Sequence, residues 1–398
     1  MKKVSILMPT YNDADTICET LDSICSQNYN NWELIIIDDG SSDNTKEVIN
    51  TYIEKNNLNK KIKYVFQENQ DQLRALINGM QYITGDYVYI LHSDDLLFDQ
   101  NSVSKAAAYL DEHPKIDGII GNLTIIDENS NITKTEEVLN YINAEKTIAT
   151  QLLWLGRNLY VDVAFHRKES FEKKVYNNYL TWNKPFWLNI EKDKVSMLNI
   201  KKVDFSFYKY RVYSGNYANN EVGKLCLING ELRTATQLMK FYNIPLYKLQ
   251  YIIFRIFSKL KLFNIYKPIY QKKETTNKAS IVEYIIKKRY QEDYKNYEFL
   301  VSLINFYKNK EHRTINFEQI YNRKDPIYLG NDLRIFNKQL VNHSLPKLYY
   351  DMFKEMDKGF DEIIVSKENE KKVEDLLKFL CIYPYVSIRS SKDEKKDS

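Results

Sequence analysis

The chain is poor in cysteine, with four residues among 398, at Cys18, Cys25, Cys226 and Cys381. None forms a C-x-x-C pair and no Cys/His set has zinc spacing, which argues against a zinc module or a redox dithiol. Cys18 and Cys25, seven apart on a predicted helix, share one face and read as two small core residues of a reduced protein. There is no run of 18 or more apolar residues, so no transmembrane helix is expected. There is no signal-peptide pattern either, because Met1-Lys2-Lys3-Val4 leads directly into a strand. The expected location is the cytoplasm, either free or at the inner face of the membrane. Neither sign of charge dominates: 57 basic and 53 acidic residues leave a formal +4, too even a balance to argue for nucleic acid. No internal repeat and no G-x-G-x-x-G is found.

What is present is a chain long enough for two or three domains, with 43% hydrophobic residues to fill their cores. The first 125 residues alternate strand and helix with short links. Apolar runs predict strands over 4–8, 34–37, 62–66, 87–91 and 116–120. Helical spacing predicts helices over 16–26, with Asp15 as N-cap, then from Val48 through Tyr52, over 73–82, and over 102–112 before Pro114. Strands that are continuous apolar runs alternating with such helices imply a mostly parallel, doubly wound α/β sheet.

Beyond residue 144 the pattern is less regular. Strands are predicted over 160–165 and 203–213, and a helix over 222–242. Residues 247–263 carry Leu249, Ile252, Ile253, Ile256, Phe257 and Leu260 interleaved with Lys248, Arg255, Lys259 and Lys261. This reads either as a basic amphipathic helix at a membrane surface or as a helix packed on its own domain. Residues 271–280 read as a linker. Ile327-Tyr328-Leu329-Gly330, residues 362–365 and residues 386–388 predict strands of a small C-terminal α/β appendage, and 392–398 a charged tail. The organisation expected is a catalytic domain over 1–220, a helical region over 221–270, and an appendage over 281–390 that docks an acceptor, recruits a partner or forms a homo-oligomer.

Three predicted strands end in polar loops: Pro9-Thr10-Tyr11-Asn12-Asp13, Asp38-Asp39-Gly40-Ser41 and His92-Ser93-Asp94-Asp95. In a parallel sheet all three fall on one edge, where α/β folds bind ligands. A carboxylate pair there suits a hard divalent cation that bridges to substrate phosphates. Asp38 and Asp43 read as turn and cap residues. Asp13 either caps the first helix or touches a ligand, and His92 either supports a metal or fills the turn.

These loops and their flanks resemble the family 2 glycosyltransferases, with the nucleotide-sugar-binding GT-A fold. The matching residues are Val4-Ser5-Ile6-Leu7-Met8-Pro9-Thr10-Tyr11-Asn12, and Trp32-Glu33-Leu34-Ile35-Ile36-Ile37-Asp38-Asp39-Gly40-Ser41-Ser42-Asp43. Gln72, Ala75, Gly79, Thr84-Gly85-Asp86-Tyr87 and Ser93-Asp94-Asp95 follow in order and spacing. The resemblance implies an inverting transfer from a nucleotide sugar, a UDP-sugar foremost, to a hydroxyl of a cell-surface polysaccharide or protein-linked glycan. It implies that Pro9, Tyr11 and Asp39 hold the base and ribose, and that Thr10 and Asp13 also belong to the nucleotide-sugar site. Asp94 would face ribose or metal, and Asp95 would ligate Mn²⁺ or Mg²⁺. Arg74 meets either a donor phosphate or a surface carboxylate.

The resemblance is weakest at the catalytic base. The stretch that carries it in the family reads here Thr181-Trp182-Asn183-Lys184-Pro185-Phe186-Trp187-Leu188, and Asn183 stands near the usual Asp. An amide is no base at neutral pH. Asp162 is then either the base or the ion-pair partner of a residue such as Arg167. Trp182 and Trp187 either stack on an acceptor sugar or belong to the core. Arg211 and Tyr213, before Ser214-Gly215-Asn216, resemble a segment that covers the donor diphosphate. Two other functions compete. A nucleotidylyltransferase would want glycine and a basic residue in the first loop, which has neither. A non-catalytic sugar-nucleotide-binding scaffold is motivated by Asn183.

Overall fold

The computed structural model describes residues 1–69, 72–136, 164–175, 188–190, 195–197, 199–216, 245–260, 278–290, 298–309, 312–320, 347–380 and 382–391, with 262, 269 and 295 singly. The chain divides into two compact units. One comprises Met1–Ile142, Asn158–Asn189 and Ser196–Asn219, and the other comprises the remaining segments, chiefly Asn220–Ser398.

The first unit is built on β1 (Val4–Thr10), β2 (Trp32–Asp38), β3 (Ile62–Phe66) and β4 (Tyr87–Ile90), linked by α1 (Ile17–Cys25), α2 (Thr45–Lys55) and α3 (Gln72–Met80). Next come β5 (Leu96–Leu97), α4 (Ser102–Glu112), β6 (Gly118–Ile120), β7 (Leu123–Ile126), β8 (Ile132–Glu136) and β9 (Phe165–Arg167). Among the described residues the main sheet runs Ile200–Lys202, β6, β9, β4, β1, β2, β3. β1 lies parallel between β2 and β4, Val4 opposite both Trp32 and Tyr87. Every residue of β1 is buried, as expected for a central strand with both faces covered. α3 approaches this core so closely that a Cβ on Gly79 would stand 2.2 Å from Leu7 Cδ1, so any larger residue there would push the Leu7 side chain aside.

The sheet departs from the expected pattern at one place. β9 is antiparallel to both its neighbours, β4 and β6. Of the strand predicted over 203–213 only Tyr208–Arg211 forms, and a separate short strand, Ile200–Lys202, precedes it. Ile200–Lys202 extends the main sheet beside β6, whereas Tyr208–Arg211 joins a second sheet ordered β5, Tyr208–Arg211, β7, β8. Val203 to Phe207 carries the chain from one sheet to the other, and its apolar residues Val203 and Phe207 are buried, which made the whole stretch look continuous. Asp15 is not the cap of α1. Thr16 is the N-cap, with no side-chain cap bond, and the Thr16 and Ile17 N–H groups donate to the Asp13 carbonyl. The two cysteines of α1 are not core residues: Cys18 is half-buried and Cys25 exposed.

The second unit carries a parallel sheet in which Glu362–Val365 lies between Thr314–Asn316 and Ser387–Ser390. Helices Lys278–Tyr290, Glu298–Lys308 and Lys347–Lys358 pack around Ile281, Ile285, Phe299, Leu303, Met352 and Met356, all buried. The strand Glu362–Val365 stands where the sequence puts it. The predicted strand at Ile327 to Gly330 and the helix over 222–242 lie outside the described residues. Among those described, no helix is long and apolar enough to cross a membrane.

Candidate active site

The register of β1 with β2 and β4 brings the loops after all three strands to one edge of the sheet. Hydrogen bonds then stitch the loops together. Asn12 sits in the left-handed backbone region (φ 57°), which Asn tolerates better than most residues. Its N–H donates to Ser41 Oγ (2.9 Å), and its Oδ1 accepts from the Ser42 N–H (2.7 Å). The Asp13 N–H donates to Thr45 Oγ1 (2.9 Å). The Asp13 carboxylate accepts from Thr10 Oγ1 (2.9 Å), the Tyr11 N–H (3.0 Å) and Ser93 Oγ. It therefore braces the first loop against the third and does not cap α1. Burial outweighs these bonds and raises the Asp13 carboxyl above its ordinary range. The Ser93 carbonyl in turn accepts from Thr20 Oγ1 (2.9 Å).

In the second loop Asp38 and Asp43 do turn work. Asp38 accepts from the Ser41 N–H (2.8 Å) and the Tyr64 hydroxyl (2.7 Å), and Asp43 from the Thr45 N–H (3.0 Å). Gly40, at φ 84°, closes the turn in a conformation side chains resist. Asp39 is buried and accepts from Gln67 Nε2 (2.7 Å). Pro9 and Thr10 are buried at the end of β1, whereas Tyr11 is half exposed.

The third loop holds the densest charge. Asp95 is fully buried; its Oδ1 accepts the Arg211 backbone N–H (2.8 Å). Its Oδ2 has no hydrogen-bond donor and stands 3.6 Å from His92 Nδ1. Ligand atoms of His92, Asp94 and Asp95 all lie within 4.8 Å of one another. Asp94 accepts from Asn216 Nδ2 (3.3 Å). Burial, then repulsion from Asp95, holds the Asp94 carboxyl well above the usual carboxylate range, while His92 acts in the opposite direction. Burial followed by the charges of Asp94, Asp13 and Asp95 raises the Tyr213 hydroxyl, so the phenol stays neutral beside them.

Arg211 corrects the expectation of a cover. It lies in a strand and is 2% exposed. Its Nε donates to the Asp94 carbonyl (2.8 Å), its NH1 to the Glu128 carbonyl (3.0 Å) and Ser130 Oγ (3.1 Å), and its NH2 to Glu19 (2.5 Å). The guanidinium is a fixed brace behind the acidic loop. Asn216, from the same segment, is also buried, and its Oδ1 accepts the Tyr213 N–H (2.6 Å).

Sequence reasoning assigned no role to Asn12, Gln67, Asn216 or Glu19. Asn12 alone left a signal, an Asn-Asp pair directly after a strand. The others come from distant segments that only the fold brings near. Arg74 lies on α3, but its side chain is outside the described residues, as are Asp162, Trp182, Asn183 and Trp187. Arg167 donates to the Ile116 (2.7 Å) and His113 (3.0 Å) carbonyls at the end of α4.

A parallel-sheet edge carrying a buried carboxylate cluster defines an α/β protein built to hold a polar, charge-bearing ligand. Residues 5–174 match the family model Glycosyl transferase family 2, and this part of the chain is a domain of that family. The chain is 34% identical over 127 residues to EpsE of Bacillus subtilis (strain 168), covering 32% of this chain and 45% of that one. It is 33% identical over 138 residues to the poly-beta-1,6-N-acetyl-D-glucosamine synthase of Staphylococcus aureus (strain MSSA476), covering 35% of this chain and 32% of the synthase. The chain thus spans less than half the length of either relative. Among solved structures, S. aureus TarS 1-349 in complex with UDP-GlcNAc aligns with 77% of this chain and 87% of its own at 16% identity, TM-score 0.46. At that score the likeness bears on nothing in the site.

Proposed function

We propose that the protein is a metal-dependent, inverting glycosyltransferase that moves a sugar from a nucleotide sugar, a UDP-sugar foremost, to a hydroxyl of a cell-surface polysaccharide or protein-linked glycan. The observation that carries this reading is Asp95 Oδ2, a fully buried carboxylate oxygen with no donor, beside Asp94 and His92 in a family 2 domain. Leaving such an oxygen unpaired is costly unless something else meets it.

The donor set of two carboxylates and an imidazole fits Mn²⁺ or Mg²⁺, with the nitrogen favouring manganese. A divalent cation held there supplies Lewis-acid neutralisation of the departing nucleotide diphosphate. The chain's own residues do the rest. Asp39 accepts from Gln67 at the same edge, and its carboxylate is the group suited to accept a base N–H. Tyr11, half exposed above the buried Pro9 and Thr10, offers its ring to the base. Asp13 and Arg211 hold the loops in place and keep them from collapsing onto the acidic pair. Asp162 has the carboxylate the acceptor proton requires, and Trp182 and Trp187 have faces suited to a sugar ring. The relative named as a poly-beta-1,6-N-acetyl-D-glucosamine synthase makes a polymer-forming acceptor hydroxyl the first to try.

Asn183, near the position of the usual base, favours one second reading, a sugar-nucleotide-binding scaffold without turnover. A panel of nucleotide sugars assayed for hydrolysis and transfer with Mn²⁺, Mg²⁺ or chelator separates the two. Turnover that needs metal and disappears in Asp95→Ala supports the transferase. Metal-independent turnover overturns the role of Asp95, and donor binding without turnover selects the scaffold.

A further inference from the structure

The helix Tyr247–Lys259 has a face that its own unit does not cover. One side is anchored. Phe254 and Gln250 are buried. The Gln250 amide donates to the Pro245 (2.6 Å) and Ile269 (2.9 Å) carbonyls and accepts the Ile269 N–H (2.9 Å). The rings of Tyr247 and Tyr251 lie 5.4 and 5.6 Å from that of Tyr284.

The opposite side is aliphatic. Leu249, Ile252, Ile253, Ile256 and Leu260 are 36–60% exposed, and their spacing puts them within about 100° of arc. Leu260 continues the stripe because its N–H still donates to the Ile256 carbonyl (3.0 Å). Leu246 before it is 72% exposed. Lys248, Arg255 and Lys259, all exposed, line one border of the stripe, and the helix contains no acidic residue.

A continuous apolar stripe of this size is uncommon on a free surface. Two features select its occupant. The five exposed side chains include no aromatic ring and no hydrogen-bonding group, the elements that give protein interfaces their specificity, and the one ring on the stripe's border, Phe257, is half-buried. Its only polar accompaniment is a row of long cations, able to stretch toward headgroups while the aliphatic side chains sink among acyl chains. We infer that this helix face docks the protein on an anionic lipid bilayer, lying in the plane of the interface. The inference stands apart from the proposed reaction, and the residues that carry it belong to no part of the candidate active site.

The test is co-sedimentation of the full chain with phosphatidylcholine vesicles, with and without phosphatidylglycerol as about a third of the lipid. Binding to the anionic vesicles at least ~10-fold tighter than to phosphatidylcholine alone is expected. Ile252→Ser with Ile256→Ser should weaken it by ~10-fold or more. Lys248→Gln, Arg255→Gln and Lys259→Gln together should erase the preference for anionic lipid, on the order of 100-fold at low salt. Donor hydrolysis by both variants should equal that of the parent chain. If the serine pair lowers the melting temperature, the charge variant decides alone. Failure of the parent to bind anionic vesicles, or undiminished binding by the charge variant, overturns the inference. So does a dimer that the serine pair converts to monomer without any vesicle binding, which would make a second copy the occupant.

Discussion

Both units end parallel strands in carboxylates, and the two carboxylates are treated in opposite ways. Glu318 follows the strand Thr314–Asn316, and its oxygens are engaged by the chain itself. It accepts the Ser366 N–H (3.0 Å) and Asn369 Nδ2 (3.2 Å), which ties the start of one strand connection to the next. Asp95 is more deeply buried, yet one of its oxygens is left without a donor among three neighbouring ligand groups. A saturated carboxylate contributes to stability. An unsaturated buried one costs stability and is retained where a ligand completes it.

Asp95→Asn sharpens this contrast most. It keeps an acceptor for the Arg211 N–H and removes one charge. Transfer should fall on the order of 10²–10³-fold, while the metal-free melting temperature holds or rises. Thermal shift with and without Mn²⁺ checks the second half, since only the parent chain should be stabilised by the ion. Arg211→Met should cost about 2–4 kcal/mol in denaturant unfolding, because several buried carbonyls and the Glu19 carboxylate lose their donor. Glu318→Ala should cost about 1–2 kcal/mol and leave transfer unchanged. A loss of transfer there would break the contrast.

Asn12→Ala should cost about 1–2 kcal/mol, since it gives up both the bond to Ser42 and the tolerance of a positive φ. It should raise KM for the donor more than it lowers kcat. The smallest effect belongs to Glu19→Gln, a few tenths of a kcal/mol at an exposed carboxylate. Partial burial works to raise the Glu19 carboxyl, but the hydrogen bonds from Ser130 and Arg211 prevail and lower it. Its contribution is therefore present above about pH 4.3 and lost as pH falls through the lowered value. Glu19→Gln should flatten that part of the acid melting profile.

The doubly wound half was legible because its strands are uninterrupted apolar runs and its helices follow a 3.6 spacing; Ser102–Glu112 begins and ends where the spacing says. The three-loop edge was legible for the same reason, since parallel strands leave their C-terminal ends no other place. What the sequence hid depends on crossings. β9 is three residues long and joins two strands already formed. The chain changes sheets between Lys202 and Tyr208 while apolar residues keep alternating with polar ones. Arg211 falls inside the strand predicted over 203–213, and only the family resemblance suggested a cover there; its bracing role was hidden because its partners at 19, 94, 128 and 130 are remote in sequence. The apolar stripe on Tyr247–Lys259 was visible as a pattern, but only the packing of Phe254 and Gln250 shows which side is left uncovered.

The antiparallel β9 has a consequence for synthesis. It fills the slot between β4 and β6, pairing Val88 with His166 and Ile119 with Phe165. A chain emerging from the ribosome therefore has its acidic loop made some seventy residues before the strand that closes the sheet behind it. Until residue 167 is out, β4 and β6 each present an open hydrogen-bonding edge, the kind of surface on which nascent chains stick to one another. Completion of the centre of this sheet is a late event in the life of the polypeptide, and chaperone dependence should be greatest for ribosome-bound chains arrested between residues 126 and 165.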